Sequence, residues 1–302
     1  MHLDFGITIA GLIVGFMIGM TGVGGGALLT PVLIIFFGIS APAAVSSDIV
    51  ASLVLKPIGG AVHFKRGTVN LPLVGWLALG SVPGALGGVY VLTHLIGSNA
   101  ENFIKTTLGW ILLVAAAAVL AKAGLQARRR VEPAEPGTIE LHPTRSVLIG
   151  LLGGFVVGLT SVGSGSLMIV LLMILYPRLS MREMVGTDLV QAIPLVASAA
   201  LGVVLWSHLQ FSLIGSLLLG AIPAVWLGAH FSSRARDGYI RPVLILAMSF
   251  SALKLLGVSN GVLGDLAVAG AILTVASAVT LWLRARSSAA RTIEPELATT
   301  AA

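Results

Sequence analysis

Apolar stretches follow one another along this chain, separated by little more than glycine, proline and short polar runs. They read at about 6–20, 24–38, 44–63, 70–94 and 102–123, and again at about 146–160, 163–177, 186–206, 210–231, 241–257 and 262–284. Runs of this length without alternating polar positions are too long for strands and approach the roughly 20 residues that cross a bilayer as a helix. Between the two sets lies a polar stretch with Arg128, Arg129, Arg130, Pro133, Pro136 and Pro143, and from Ser287 the chain is polar again. The predicted organisation is a membrane unit over 1–123, a linker over 124–145, a second membrane unit over 146–285, and a disordered tail over 286–302.

The two units are copies. The segment Gly11–Leu28 matches Gly150–Leu167 in its apolar residues, one threonine and most of its glycines, with Ser161 and Ser164 where the first copy has Gly22 and Gly25. Thr21 aligns with Thr160, Gly24 with Gly163 and Gly26 with Gly165. After one added residue Asp48 aligns with Asp188, Asn70 with Gln210, Gly80 with Gly220 and Pro83 with Pro223. A tandem repeat of this kind sets the fold before any single element does.

Composition sharpens the class. The chain is 56% hydrophobic and 10% charged, against about 25% charged in soluble domains, with a mean hydropathy of +1.01. An all-α polytopic membrane protein follows, with the lipid bilayer as its first partner. No basic residue precedes the first apolar stretch, which runs into the glycine break, so it is not expected to be a secretory signal. Cysteine is absent, which excludes disulfides, iron–sulfur sites and Cys-zinc sites. No GxxxxGK[ST] motif occurs, so ATP is not expected to drive this chain directly. No cofactor is expected. The net charge of +6 reads as topology rather than nucleic-acid binding, because basic residues cluster at the ends of apolar spans.

Those basic residues choose an arrangement. The segments flanking each glycine break are short: fifteen helical residues rise roughly 22 Å, against a hydrocarbon core of roughly 30 Å. Each pair is therefore either one broken span or a hairpin that returns to its own side. With the hairpin and a cytoplasmic linker, Lys65, Arg66, Arg145, Arg178, Arg182, Arg234, Arg236, Arg241 and Arg284 all fall inside, and Lys105 falls near the outer face. A full second span would move Arg178, Arg182 and the C-terminal arginines outside, against the positive-inside rule. For the first half the hairpin rests on symmetry. The two repeats then enter from opposite faces, each opening with a glycine-broken helix pair. That is the inverted-repeat plan of many secondary transporters, whose substrate sites lie at such broken helices. The expected location is the cell inner membrane, with linker and C-terminus cytoplasmic.

The candidate site follows from the breaks. Gly22–Gly26 and Ser161–Gly165 cannot form comfortable helix, since each interior glycine costs up to about 1 kcal/mol. Helices restarting near Ala27 and Ser166 would present free N–H groups and a positive dipole end, which suits an anion. Thr21, Gly24, Gly25, Gly26, Thr160, Gly163, Ser164, Gly165 and Ser166 are the candidate binding residues, with Ser161 as a further hydroxyl. Close helix packing through small residues is the other reading of the glycines, and it suits Gly11, Gly15 and Gly19. Asp48 and Asp188 follow a small hydroxyl residue at the start of an apolar helix; they read either as N-terminal caps or as a relay for protons or sodium. Lys56, near mid-depth and aligned with Val196, either faces the anion or pairs with an acid. Gln191 can line the same path as Asp188. Lys254 is expected to snorkel, and His63, His94, His208 and His230 to sit at span ends without metal-ligand spacing.

These residues resemble the TauE/SafE family, the sulfite exporter or toluene-sulfonate-uptake group. The resemblance runs over about Ile9–Leu283 and rests on Gly15, Gly19, Gly22–Gly26, Pro31 and Ala44–Asp48, with a weaker second copy in which Ser161 and Ser164 replace glycines. It implies carriage of a small sulfur-containing anion such as sulfite, a sulfonate or sulfoacetate. A secondary transporter of a small oxyanion is therefore the expected function. A passive anion channel is the alternative, and a membrane-embedded enzyme would need paired titratable groups at one depth.

Overall fold

The computed structural model describes residues 4–21, 25–96, 100–128, 140–165, 167–207, 209–232, 237–259 and 261–262. Every regular element among them is helical. In chain order these are α1 (Phe5–Thr21), a short 3₁₀ turn (Gly25–Ala27), α2 (Leu29–Phe37), α3 (Ala41–Lys65) and α4 (Leu71–Tyr90), which continues as a π-helical turn (Val91–Leu95). Then come α5 (Ala100–Arg128), α6 (Pro143–Thr160), α7 (Leu167–Leu175), α8 (Met181–Trp206), α9 (Phe211–Ser232) and α10 (Asp237–Leu255). Six of these helical stretches are long and apolar enough to cross a membrane. All but the first residue of the segment expected at 262–284, the tail and positions 129–139 of the linker lie outside the described residues. Helix α5 runs to Arg128, into the expected linker, and α6 starts at Pro143.

Local chemistry starts and stops these helices. Proline stands in the first turn of α3, α4 and α6, where its missing N–H costs nothing. The Asn70 side chain caps α4 by accepting from Leu73 N–H at 3.1 Å. Ser180 and Glu183 form a reciprocal capping box at the start of α8. Gly38, with φ 62°, closes α2 in the left-handed region.

Helices α2 and α7 have nine residues each, roughly 14 Å, about half the hydrocarbon thickness. Each folds back along its predecessor. The end of α2 returns to the start of α1, where a Cβ on Gly6 would lie 3.1 Å from the Phe37 ring. The end of α7 returns to the start of α6, where Tyr176 Oη bonds Ser146 Oγ at 2.6 Å and accepts from His142 N–H at 3.0 Å. The turn between α6 and α7 is made by Ser161 (φ 60°), Gly163 (φ 136°) and Gly165 (φ 91°).

Packing between the halves is reciprocal. α1 lies on α9 and α4 on α6, each pair parallel and in backbone contact through glycine. A Cβ on Gly220 would collide with the Thr8 carbonyl, and one on the aligned Gly80 with the Val147 carbonyl, which aligns with Thr8. Gly11 meets Leu217 and the aligned Gly150 meets Leu77 in the same way. Lipid offers no hydrophobic drive for helices to associate, so small residues and close backbone approach supply it; Gly11 and Gly15 do this work. Leu12, Leu79, Trp110, Leu152 and Trp226 are left on the outer surface, as an apolar solvent requires.

α3 and α8 cross the centre antiparallel. Gly60, near the end of α3, sits on Leu189 and Ile193 near the start of α8, while the start of α3 shares a cavity wall with Trp206 at the end of α8. The core around them is Leu29, Leu33, Ile49, Leu108, Leu112, Val196, Ala199 and Met248.

Candidate functional site

Asp48 and Asp188 lie well inside their helices, seven residues beyond the first residues of α3 and α8, Ala41 and Met181. Neither is an N-terminal cap. The start of α8 is capped by Ser180, and at the start of α3 the N–H of Ala41 donates to Glu101 Oε2 at 2.7 Å. Both aspartates are sealed, at 0% and 1% exposure. A carboxylate at that depth needs partners, and the two halves supply different ones.

Asp48 meets the break of its own half. Thr30, in the first turn of α2, donates to Asp48 Oδ2 at 3.0 Å. A Cβ on Gly25 would lie 2.9 Å from Asp48 Oδ1 and 3.5 Å from Ser52 Oγ, so the glycine is what lets the carboxylate lie against the break. Ser161, from the other half, interacts with the same carboxylate, yet no donor among the described residues meets Oδ1 within hydrogen-bonding limits. The two breaks also touch directly, since a Cβ on Gly26 would collide with the Ser161 carbonyl.

Lys56 meets the break of the other half. Its Nζ donates to Ser164 Oγ, and its electrostatic partners are first Asp188 and then Asp48. Asp188 accepts from Gln191 Nε2 at 3.2 Å, and Gln191 Oε1 accepts from Ser81 Oγ at 3.2 Å. The cluster thus sets two carboxylates against one ammonium, all buried, leaving one negative charge in excess when every group is ionised.

The candidates divide accordingly. Gly25, Gly26, Asp48, Lys56, Ser164, Asp188 and Gln191 come together, and Gly163 and Gly165 shape the loop that carries Ser164. The Thr160 hydroxyl serves the backbone of the break, donating to the Val156 carbonyl at 2.8 Å and accepting from Val162 N–H at 3.3 Å. Gly24, Ser166 and the side chain of Thr21 lie outside the described residues. Sequence reasoning missed Thr30, Ser52 and Ser81. The spacing of Ser52, four residues after Asp48 and on the same helical face, was the available signal. Thr30 and Ser81 align with Ile169 and Ala221, so the repeat hid them. The helix restarts are also unequal: Asp48 already lies at the first turn of α2, whereas the second break carries the lysine.

The family model described as "Sulfite exporter TauE/SafE" matches residues 7–255, from the first turn of α1 to the last residue of α10. The chain belongs to the sulfite exporter TauE/SafE family. The match encloses both breaks and the whole polar cluster. Two relatives come from Bacillus subtilis (strain 168). "Probable membrane transporter protein YjnA" is 36% identical over 253 residues, covering 83% of this chain and 98% of that protein. "Probable membrane transporter protein YdhB" is 24% identical over 248 residues, covering 81% and 96%. No solved structure matches the chain. As a TauE/SafE member with six candidate spans, it is a multi-pass membrane protein.

Proposed function

We propose that this TauE/SafE protein is a secondary transporter of a small sulfur-containing oxyanion, built of two inverted repeats over 1–123 and 146–285 in the cell membrane, with the linker and C-terminus cytoplasmic. The observation that carries the reading is Lys56, which reaches into the glycine break of the opposite half inside a sealed polar cluster. A buried ionisable residue within a span is a functional feature by default. At the Ser164 end the anion finds an ammonium, hydroxyls and the start of α7. The reciprocal contacts of α1 with α9 and α4 with α6, and the antiparallel α3 and α8, support the inverted relation. The returns of α2 and α7 support re-entrant pairs.

The charge balance supports proton coupling. An arriving anion adds negative charge to a cluster that already has one carboxylate in excess. Among the described residues no donor meets Asp48 Oδ1 within hydrogen-bonding limits, so Asp48 is the carboxylate we assign to carry the proton. Purified protein in proteoliposomes, offered sulfite, sulfate, thiosulfate, sulfoacetate and taurine with and without an inward proton gradient, tests this. Saturable uptake of one anion, accelerated by the gradient, is expected. Non-saturating flux would make the protein a channel, and no flux of any of the five would remove the reading.

A further inference from the structure

The reciprocity of the two halves also fails where each half would close a passage. At the start of α8 the passage is shut: Asn70 N–H donates to Thr187 Oγ1 at 3.0 Å, and Gly186 lies so close to Thr68 that a Cβ would strike its carbonyl. The aligned residues at the other end of the molecule are Gln210, Ser47 and Ser46. There the chain stands open. A cavity of about 360 Å³ separates the start of α3 from the end of α8, lined in part by Ser40, Ser46, Thr93, Trp206, Ser207 and Gln210.

We propose that this cavity is the entry site for a small oxyanion and that Gln210 is its gate. Gln210 closes onto Ser47 when Asn70 releases Thr187, so one passage is open at a time. The inference rests on the inverted-repeat reading above and extends it to the route of entry. Hydroxyls and an amide line the cavity and give an anion hydrogen-bond donors. The N–H of Ala41 at its margin is already taken by Glu101, which Lys105 neutralises at 2.7 Å, so the site passes an anion on rather than holding it. Ser46 lines the cavity. Asp48 lies two residues further along α3, about 3 Å along the axis, and is fully sealed. The inner closure needs Gly186. Ser46 in the aligned position carries a Cβ that forbids the same backbone approach, so the outer closure must run through the neighbouring hydroxyl of Ser47.

The natural absence of cysteine makes the test direct. In nanodiscs, where both faces are accessible, Ala43→Cys in the cavity wall is expected to react with a water-soluble maleimide at least tenfold faster than Thr187→Cys. The pair Ser47→Cys with Gln210→Cys, or Ser46→Cys with Gln210→Cys, is then oxidised with copper phenanthroline. With either disulfide formed, maleimide labelling of an added Thr187→Cys is expected to rise severalfold and to fall again on reduction. Equal labelling of Ala43→Cys and Thr187→Cys in the parent would overturn the proposal. So would failure of both pairs to cross-link in protein that elutes as a single folded species, or a disulfide that leaves Thr187→Cys unreactive. None of these readouts needs transport, so absence of anion uptake would sink the transporter reading without touching the gate.

Discussion

Lys56 and Ser164 are 108 residues apart in sequence, and the ammonium of one donates to the hydroxyl of the other inside the bundle. The lysine belongs to the first repeat and the serine to the break of the second, so the contact ties the halves together at their centre. Asp188 is the nearer charge in effect, ahead of Asp48. A buried ammonium so held is stable only while its partners remain.

A double-mutant cycle on Lys56 and Asp188 measures that dependence. Lys56→Gln strands Asp188 and is expected to cost on the order of 3 kcal/mol, and Asp188→Asn to cost a comparable amount by stranding Lys56. The double variant should recover more than half of the sum. Melting temperatures of the four proteins decide it; simple additivity would separate the two residues. Anion affinity should fall in Lys56→Gln and stay low in the double variant.

Asp48→Asn removes a charge whose Oδ1 meets no donor within hydrogen-bonding limits among the described residues, while an amide can still accept from Thr30. The variant is expected to fold with thermal stability close to the parent's, since Lys56 keeps Asp188 and the amide can still meet Thr30 and Ser161. Anion flux should persist but lose its acceleration by a proton gradient. Uptake measured at matched and unmatched pH checks this, and gradient-driven uptake as large as the parent's would take the proton away from Asp48.

Gly26→Ala drives a Cβ into the Ser161 carbonyl and separates the two breaks. Overpacking of this kind costs typically 1–3 kcal/mol, so lower melting temperature and lost transport are expected together. Gly75→Ala, on α4 with nothing within 4 Å of the new methyl, should leave transport unchanged and hold or raise the melting temperature. Similar melting temperatures for the two variants would show that the breaks have room to move apart.

Ser180→Ala removes the capping box of α8. About 1 kcal/mol of stability should be lost. Anion affinity should hold, because Asp188 lies eight residues, roughly 12 Å, further along the helix. A binding titration alongside a thermal melt separates the two effects.

Much of the architecture is written locally and was legible. The helices over Ala41–Lys65, Leu71–Leu95 and Phe211–Ser232 follow from apolar length, and the first two also from proline in the first turn. The close helix contacts at Gly11 and Gly15 were legible because small residues in a membrane chain invite close packing. Asp48 and Asp188 were legible as an aligned pair but not as lying deep within their helices. The apolar run hid the true starts of α3 and α8, where Ala41, Pro42 and Ser180 set the first turn.

The sequence by itself determined that this is an all-helical membrane chain with internal repetition, because length, hydropathy and repetition need no partner to be read. Only the tertiary structure decided which charge meets which break. Asp48 lies against Gly25 and Thr30 of its own half, while Lys56 crosses to Ser164 of the other. That choice depends on how α3 and α8 cross and on where each break lies along them. The polar partners that distinguish the halves, Thr30 and Ser81, align with apolar residues, so sequence repetition concealed them. The physical reason is that a side chain's partner is fixed by helix packing over long sequence separations, and the repeat specifies the helices without specifying their asymmetry.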